Sequence, residues 1–186
     1  MTVLQKVSGL ELGGETKFSQ PAVFQVAALS NGDGRLVAGV PSGDPQVLSA
    51  LVACLEAPFF VLYVLHTSRG EGKPGRYQSP EVSGEDLGKF ISTYSELLQS
   101  DARFDLWVYS PSSKGTVVWD RHNLLYAYGP IESYEAALLR AGFTLGTADA
   151  NFPHVHHYRA ECDVAAQSLL GYFDWVYSPL QPQDEQ

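Results

Sequence analysis

A chain of 186 residues, 45% hydrophobic, 12% aromatic and 18% charged, is long enough to bury a core unaided and too apolar for disorder, collagen or coiled coil. Twelve Lys and Arg against 21 Asp and Glu leave a net charge of −9. That field repels phosphate backbones and anionic lipid heads, so neither nucleic acid nor a membrane surface is expected as a partner.

The first residues, Met1-Thr2-Val3-Leu4-Gln5-Lys6, carry no cationic patch ahead of an apolar run, so no secretory leader is expected and a cytoplasmic location is. Ala22–Leu29 and Leu36–Val40 flank Asn31-Gly32-Asp33-Gly34, residues that tolerate positive φ, which predicts a β-hairpin. Asp44 followed by Pro45 is an N-cap with proline at the first helical position, opening a helix to about Glu56. Phe59–His66 reads as a strand buried on both faces.

The apolar run Val47–Leu65 has the length of a membrane span, but Glu56 and Pro58 interrupt it, and the residue types change from helix formers to β-branched and aromatic ones. It is therefore expected as a buried helix and a buried strand. Residues 69–80, RGEGKPGRYQSP, are too rich in Gly and Pro for a regular element and predict a long exposed loop.

From Ser83 a stripe of Leu87, Phe90, Ile91, Tyr94, Leu97 and Leu98 has helical spacing and predicts a core-facing helix. A meander follows over Phe104–Ser110, Thr116–Asp120 and Leu124–Tyr128. Ile131–Ala141 predicts a helix ended by Gly142, Phe143–Leu145 and His154–Tyr158 predict short strands, and Asp163 caps a last helix to about Phe173. Residues 179–186 read as a flexible tail to a single domain spanning 1–178. The sum is an α+β fold: a mostly antiparallel sheet of about five to seven strands with helices packed largely on one face.

Chemistry is sparsely signalled. Cys54 and Cys162 fit neither a disulfide framework nor a CxxC motif and read as free thiols. The stretch His66-Thr67-Ser68, at the end of a strand, resembles half of the motif of the two-histidine phosphoesterases. The second half is missing, because His154-Val155-His156-His157 has a histidine where that family places a hydroxyl. Strand alternation puts His154 and His156 on one face, a pair of potential metal ligands that wants a third from elsewhere, with His66 or His122 as candidates and Asp120 or Glu161 as further charge. With that set incomplete, no metal or cofactor is expected, and purified protein is expected to hold less than about 0.2 equivalents of zinc or nickel. An enzymatic reading would be a phosphate-ester hydrolase using His66, His154 and His156, with Arg69 or Arg76 holding the anion.

The preferred reading is a non-enzymatic interaction module. A five-residue loop over 111–115 would place Trp107, Tyr109 and Trp119 on one sheet face, with Tyr126 and Tyr128 joining or not according to one residue of register. Either the helices cover this face and the rings are core, or they form an exposed patch of the residues that interfaces favour. After Arg159 the chain has no Lys or Arg but has Glu161, Asp163, Asp174, Asp184 and Glu185, so the expected partner is a basic protein, in the manner of small acidic immunity proteins, a likeness of composition alone. A small-molecule pocket on the aromatic face is the third reading.

Overall fold

The computed structural model describes residues 5–29 and 34–184. The chain opens with a hairpin, β1 (Val7–Glu11) and β2 (Gly14–Lys17), then runs through β3 (Val23–Ala28) and β4 (Gly34–Gly39). Next come α1 (Pro45–Val52), β5 (Phe60–Leu65), β6 (Gly75–Gln78), α2 (Gly84–Thr93) and α3 (Ser95–Ser100). The meander β7 (Phe104–Ser110), β8 (Gly115–Trp119) and β9 (Leu124–Tyr128) leads into α4 (Ile131–Arg140) and β10 (Thr144–Leu145). The chain then makes β11 (His154–His156), α5 (Asp163–Leu170) and β12 (Val176–Ser178).

The fold is α+β, with nine strands in one sheet ordered β10-β3-β4-β9-β8-β7-β5-β6-β12 and three in a second ordered β11-β1-β2. Among the described residues only β3 and β10 pair in parallel. The five to seven strands expected are an undercount, because β1, β2, β6 and β12 carry little apolar alternation. Glycine and proline suggested a loop over 69–80, yet Gly75–Gln78 is a strand held between β5 and β12.

Local signals account for the helices. Asp44 accepts a hydrogen bond from Gln46 N at 2.9 Å with Pro45 at the first position of α1, and Ser83 Oγ accepts one from Asp86 N at 3.1 Å. Gly142, at φ 86°, ends α4 in the conformation a Cβ resists. The single helix expected from Ser83 breaks at Tyr94 (φ −104°, ψ 16°) into α2 and α3. Among the described residues no helix is long and apolar enough to cross a membrane; Val47–Leu65 supplies most of α1 and then β5.

The sheet is two-sided in composition. Leu36, Ala38, Val61, Tyr63, Leu65, Phe104, Leu106, Val108, Val117, Trp119, Leu125 and Ala127 form one buried cluster with the apolar stripes of the helices. The opposite face carries the alternate residues, among them Phe60, Leu62, Trp107, Tyr109, Thr116, Tyr126 and Tyr128, and these are partly or largely exposed. The helix-facing side also encloses Arg103, whose guanidinium donates to Asp101 through Nε and Nη2 at 2.8 Å each, to Glu71 at 2.9 Å and to Asp163 at 3.0 Å. This network ties the start of β7 to the 69–74 segment and to α5.

The tail expected from residue 179 is folded at 182–184. Asp184 is buried, accepts from Gln181 N at 2.7 Å, and lies 3.7 Å from Arg76.

Candidate functional site

Three histidines converge where the small sheet meets the open face of the large one. β11 pairs with β1 so that His154 faces Gly9 and His156 faces Val7; alternation sends both rings to the same side, with centroids 4.9 Å apart. His122 arrives from the β8–β9 turn, its ring centroid 5.1 Å from that of His154 and 4.8 Å from that of His156. One candidate ligand atom from each lies within 4.8 Å of the others.

The turn that delivers His122 is built by Asp120. Its Oδ1 accepts from His122 N at 2.9 Å and from Leu124 N at 2.8 Å, and its Oδ2 lies 2.9 Å from His122 Nδ1. Asn123 closes the turn at φ 59°, a conformation asparagine tolerates, and its Oδ1 accepts from Trp119 Nε1 at 3.2 Å. On the other side His154 Nδ1 lies 2.7 Å from the Phe152 carbonyl. A carbonyl oxygen can only accept, so Nδ1 holds the proton and Nε2 carries the lone pair.

His156 Nε2 is buried with no hydrogen-bond partner. Burial, reinforced by the nearby His122, His154 and Arg121, lowers its pKa from 6.5 to about 3, which keeps the ring neutral and able to ligate at neutral pH. Two rings are thus oriented through Nδ1 by a carboxylate and a carbonyl, and the third offers an orphaned nitrogen. Oriented imidazoles of this kind are the support that metal-binding histidines usually have. Bonds to zinc of about 2.0–2.1 Å require the three nitrogens to draw in by about an ångström, a movement side-chain rotation can supply. A cavity of about 420 Å³ adjoins the cluster, lined among others by His122, His154, Asp120, Arg35, Tyr126 and Asn151.

The remaining sequence candidates lie elsewhere. His66 Nε2 sits 2.9 Å from Asp105 Oδ2 with its side chain only 5% exposed; Asp105 also accepts from Arg121 N at 2.8 Å, so His66 braces the turn beside the cluster without joining it. His157 is held by Ser8 Oγ at 2.7 Å and lies 3.4 Å from Glu15. Cys162 is buried against Ser100, and burial raises its thiol pKa, so it is not a reactive thiolate. Arg69 pairs with Asp163 at 2.9 Å and Arg76 faces Asp184, which answers both arginines of the 69–80 segment within the fold.

Trp107 and Trp119 do not share a face. The β7–β8 turn contains four residues, with Ser110 opposite Gly115, so Leu106 faces Trp119 and Trp107 faces Val118. One residue of register exchanges the two faces: Trp119 is wholly buried among the helices while Trp107 lies on the open side and Tyr109 is 42% exposed. Tyr126 and Tyr128 follow Trp107 and Tyr109 through Val118 and Thr116.

Sequence reasoning named His122 only as an optional third ligand and missed Arg35 and Arg103 altogether. The Asp120-Arg121-His122-Asn123 turn was the signal for His122, since a carboxylate two residues before a histidine orients it. No family model, curated protein or solved structure matches the chain.

Proposed function

We propose that the protein binds one divalent transition-metal ion, zinc by ligand preference, through His122, His154 and His156, and uses it on a small molecule in the adjoining cavity. The observation that carries this reading is the convergence of three imidazoles, two oriented through Nδ1 and the third with a buried, unpartnered Nε2. Three protein nitrogens with a fourth position open is the ligand count of catalytic rather than structural zinc. A metal there would lower the pKa of bound water, so the reaction class is metal-assisted hydrolysis or hydration. Asp120 supports this as the acceptor that orients His122. The reading replaces the expectation of a metal-poor protein, and His122 takes the place of His66 in the site.

Zinc titration of chelator-stripped protein, followed by calorimetry and elemental analysis, is expected to give one equivalent. His122→Ala and His154→Ala should each weaken binding by at least about tenfold, while His66→Ala leaves the stoichiometry at one. Absence of zinc binding by the intact chain refutes the reading.

A second reading is favoured by the exposed apolar residues of the open face and its β12 edge: Tyr109 at 42% and Val176 at 69% exposure. With a net charge of −9, these residues fit a basic protein partner in the cytoplasm, bound through steering charge and aromatic anchors. That association should weaken as salt rises toward about 0.5 M, where charges are screened over roughly 4 Å; salt-independent binding counts against it.

A further inference from the structure

Arg35 and Trp107 stand three strands apart across the open face, on β4 and β7, and line one cavity of about 170 Å³ together with Thr116, Val118, Tyr126 and Tyr128. Arg35 Nε and Trp107 Nε1 are both buried and both lack a hydrogen-bond partner. Each is a donor with no acceptor capacity, and a buried donor left unmade is costly enough to need an explanation. Among the described residues no carboxylate pairs with Arg35; its guanidinium instead lies 5.3 Å from the Tyr126 ring centroid. The hydroxyls of Thr116, Tyr126 and Tyr128 share the lining but satisfy neither donor; what the two donors lack is an acceptor, and a charged one suits the arginine.

The surroundings describe the rest of the ligand. Through Trp107 and Thr116 the cavity continues into a groove of about 430 Å³ whose lining includes Phe60, Leu62 and Tyr109, apolar side chains with no cation among them. Through Arg35 and Tyr126 it continues the other way, into the cavity beside the three histidines. The face thus has a donor-rich centre and an apolar arm.

We propose that this face binds a small organic acid, its carboxylate held between Arg35 and Trp107 Nε1 and its hydrocarbon part lying on Phe60, Leu62 and Tyr109. The carboxylate supplies both missing acceptors and neutralises the arginine, and the apolar arm sets a preference for a chain or ring beyond the carboxylate. This site adjoins the metal centre, goes beyond that reading and does not need it.

The test uses hexanoate as probe and hexanamide as its uncharged counterpart, titrated into the full chain in chelator-stripped and zinc-loaded forms. The readout is the indole N–H resonance of Trp107, assigned by its loss in Trp107→Phe. Hexanoate should move that resonance in both forms, hexanamide should bind at least about tenfold more weakly, and Arg35→Gln should weaken hexanoate by a similar factor while thermal stability and zinc stoichiometry stay at wild-type values. Acetate, without the apolar arm, should also bind more weakly than hexanoate. An unmoved Trp107 resonance, equal binding of acid and amide, or indifference to Arg35→Gln in a folded protein overturns the proposal. A hexanoate response from a protein that takes up no zinc upholds this site and refutes the metal centre, whereas zinc uptake without the response does the reverse.

Discussion

Replacing Lys6 with methionine should stabilise the fold at neutral pH. The Lys6 ammonium is wholly buried, 4.0 Å from the Trp119 ring centroid and 4.8 Å from that of Phe104, and has no hydrogen-bond partner. The carboxylates of Asp120, Asp105 and Asp101 favour its charge, but burial outweighs them and lowers its pKa from 10.5 to about 8. Below pH 8 both folded and unfolded chains hold the proton, so the full cost is present. Between about 8 and 10.5 the unfolded chain holds more proton than the folded one, so stability rises with pH across that window and levels off above it. At about 1.4 kcal/mol for each tenfold change in proton affinity, the cost at neutral pH is about 3 kcal/mol. Methionine keeps the apolar stem but forfeits the contact with the two rings, roughly 1–2 kcal/mol when desolvated, leaving a net gain of about 1–2 kcal/mol. The three carboxylates have other partners: Asp101 has Arg103, Asp105 has His66, and Asp120 has His122. Urea titrations of both proteins at steps from neutral pH to 10.5 measure the difference, and subtracting Lys6→Met from the wild type cancels the other titrating groups. A Lys6→Met protein that is less stable by more than about 2 kcal/mol, with a difference that does not vary with pH, would mean that the ammonium is held by its carboxylates and the reasoning is wrong.

Trp119→Ala should cost about 3–5 kcal/mol in urea unfolding, because the ring is wholly buried and donates to Asn123, whereas Trp107→Ala, on the open face, should cost distinctly less; equal losses would contradict the register that puts Leu106 opposite Trp119. Arg103→Met should destabilise by about 3–5 kcal/mol by stranding the buried Asp101 and Glu71 carboxylates, and Arg69→Ala by under about 1 kcal/mol, since its pair with Asp163 is solvent-exposed. Thermal melts of the two variants side by side check the contrast, which fails if Arg69→Ala is the more damaging.

Elements specified by their own neighbours were legible in the chain. Asp44-Pro45 and Ser83 announced helix starts because a cap bonds within its own turn, and Gly142 announced a stop because only its own φ is at issue. The meander from Phe104 to Tyr128 was legible because alternation and turn residues are both local, and so was the shared side of His154 and His156, which follows from a period of two. Tertiary structure decided the rest. β6 and β12 are short and carry little apolar pattern; β12 is a strand by pairing with β6 across roughly 100 residues of sequence, and β6 by being held between β12 and β5, which no local propensity encodes. Whether Trp119 is core or surface turned on a single residue in the β7–β8 turn, and slipping that register costs nothing locally while exchanging both faces. His122 reaches His154 and His156 only because the β8–β9 turn and the β11–β1 pairing meet in space. Arg69 and Arg103 reach Asp163 the same way, on a segment far along the chain, although Arg103 also has Asp101 two residues away. Spacing and composition could place each of these side chains on an element, but their partners were set by long-range packing, where burial rather than sequence proximity determines which charges and nitrogens meet.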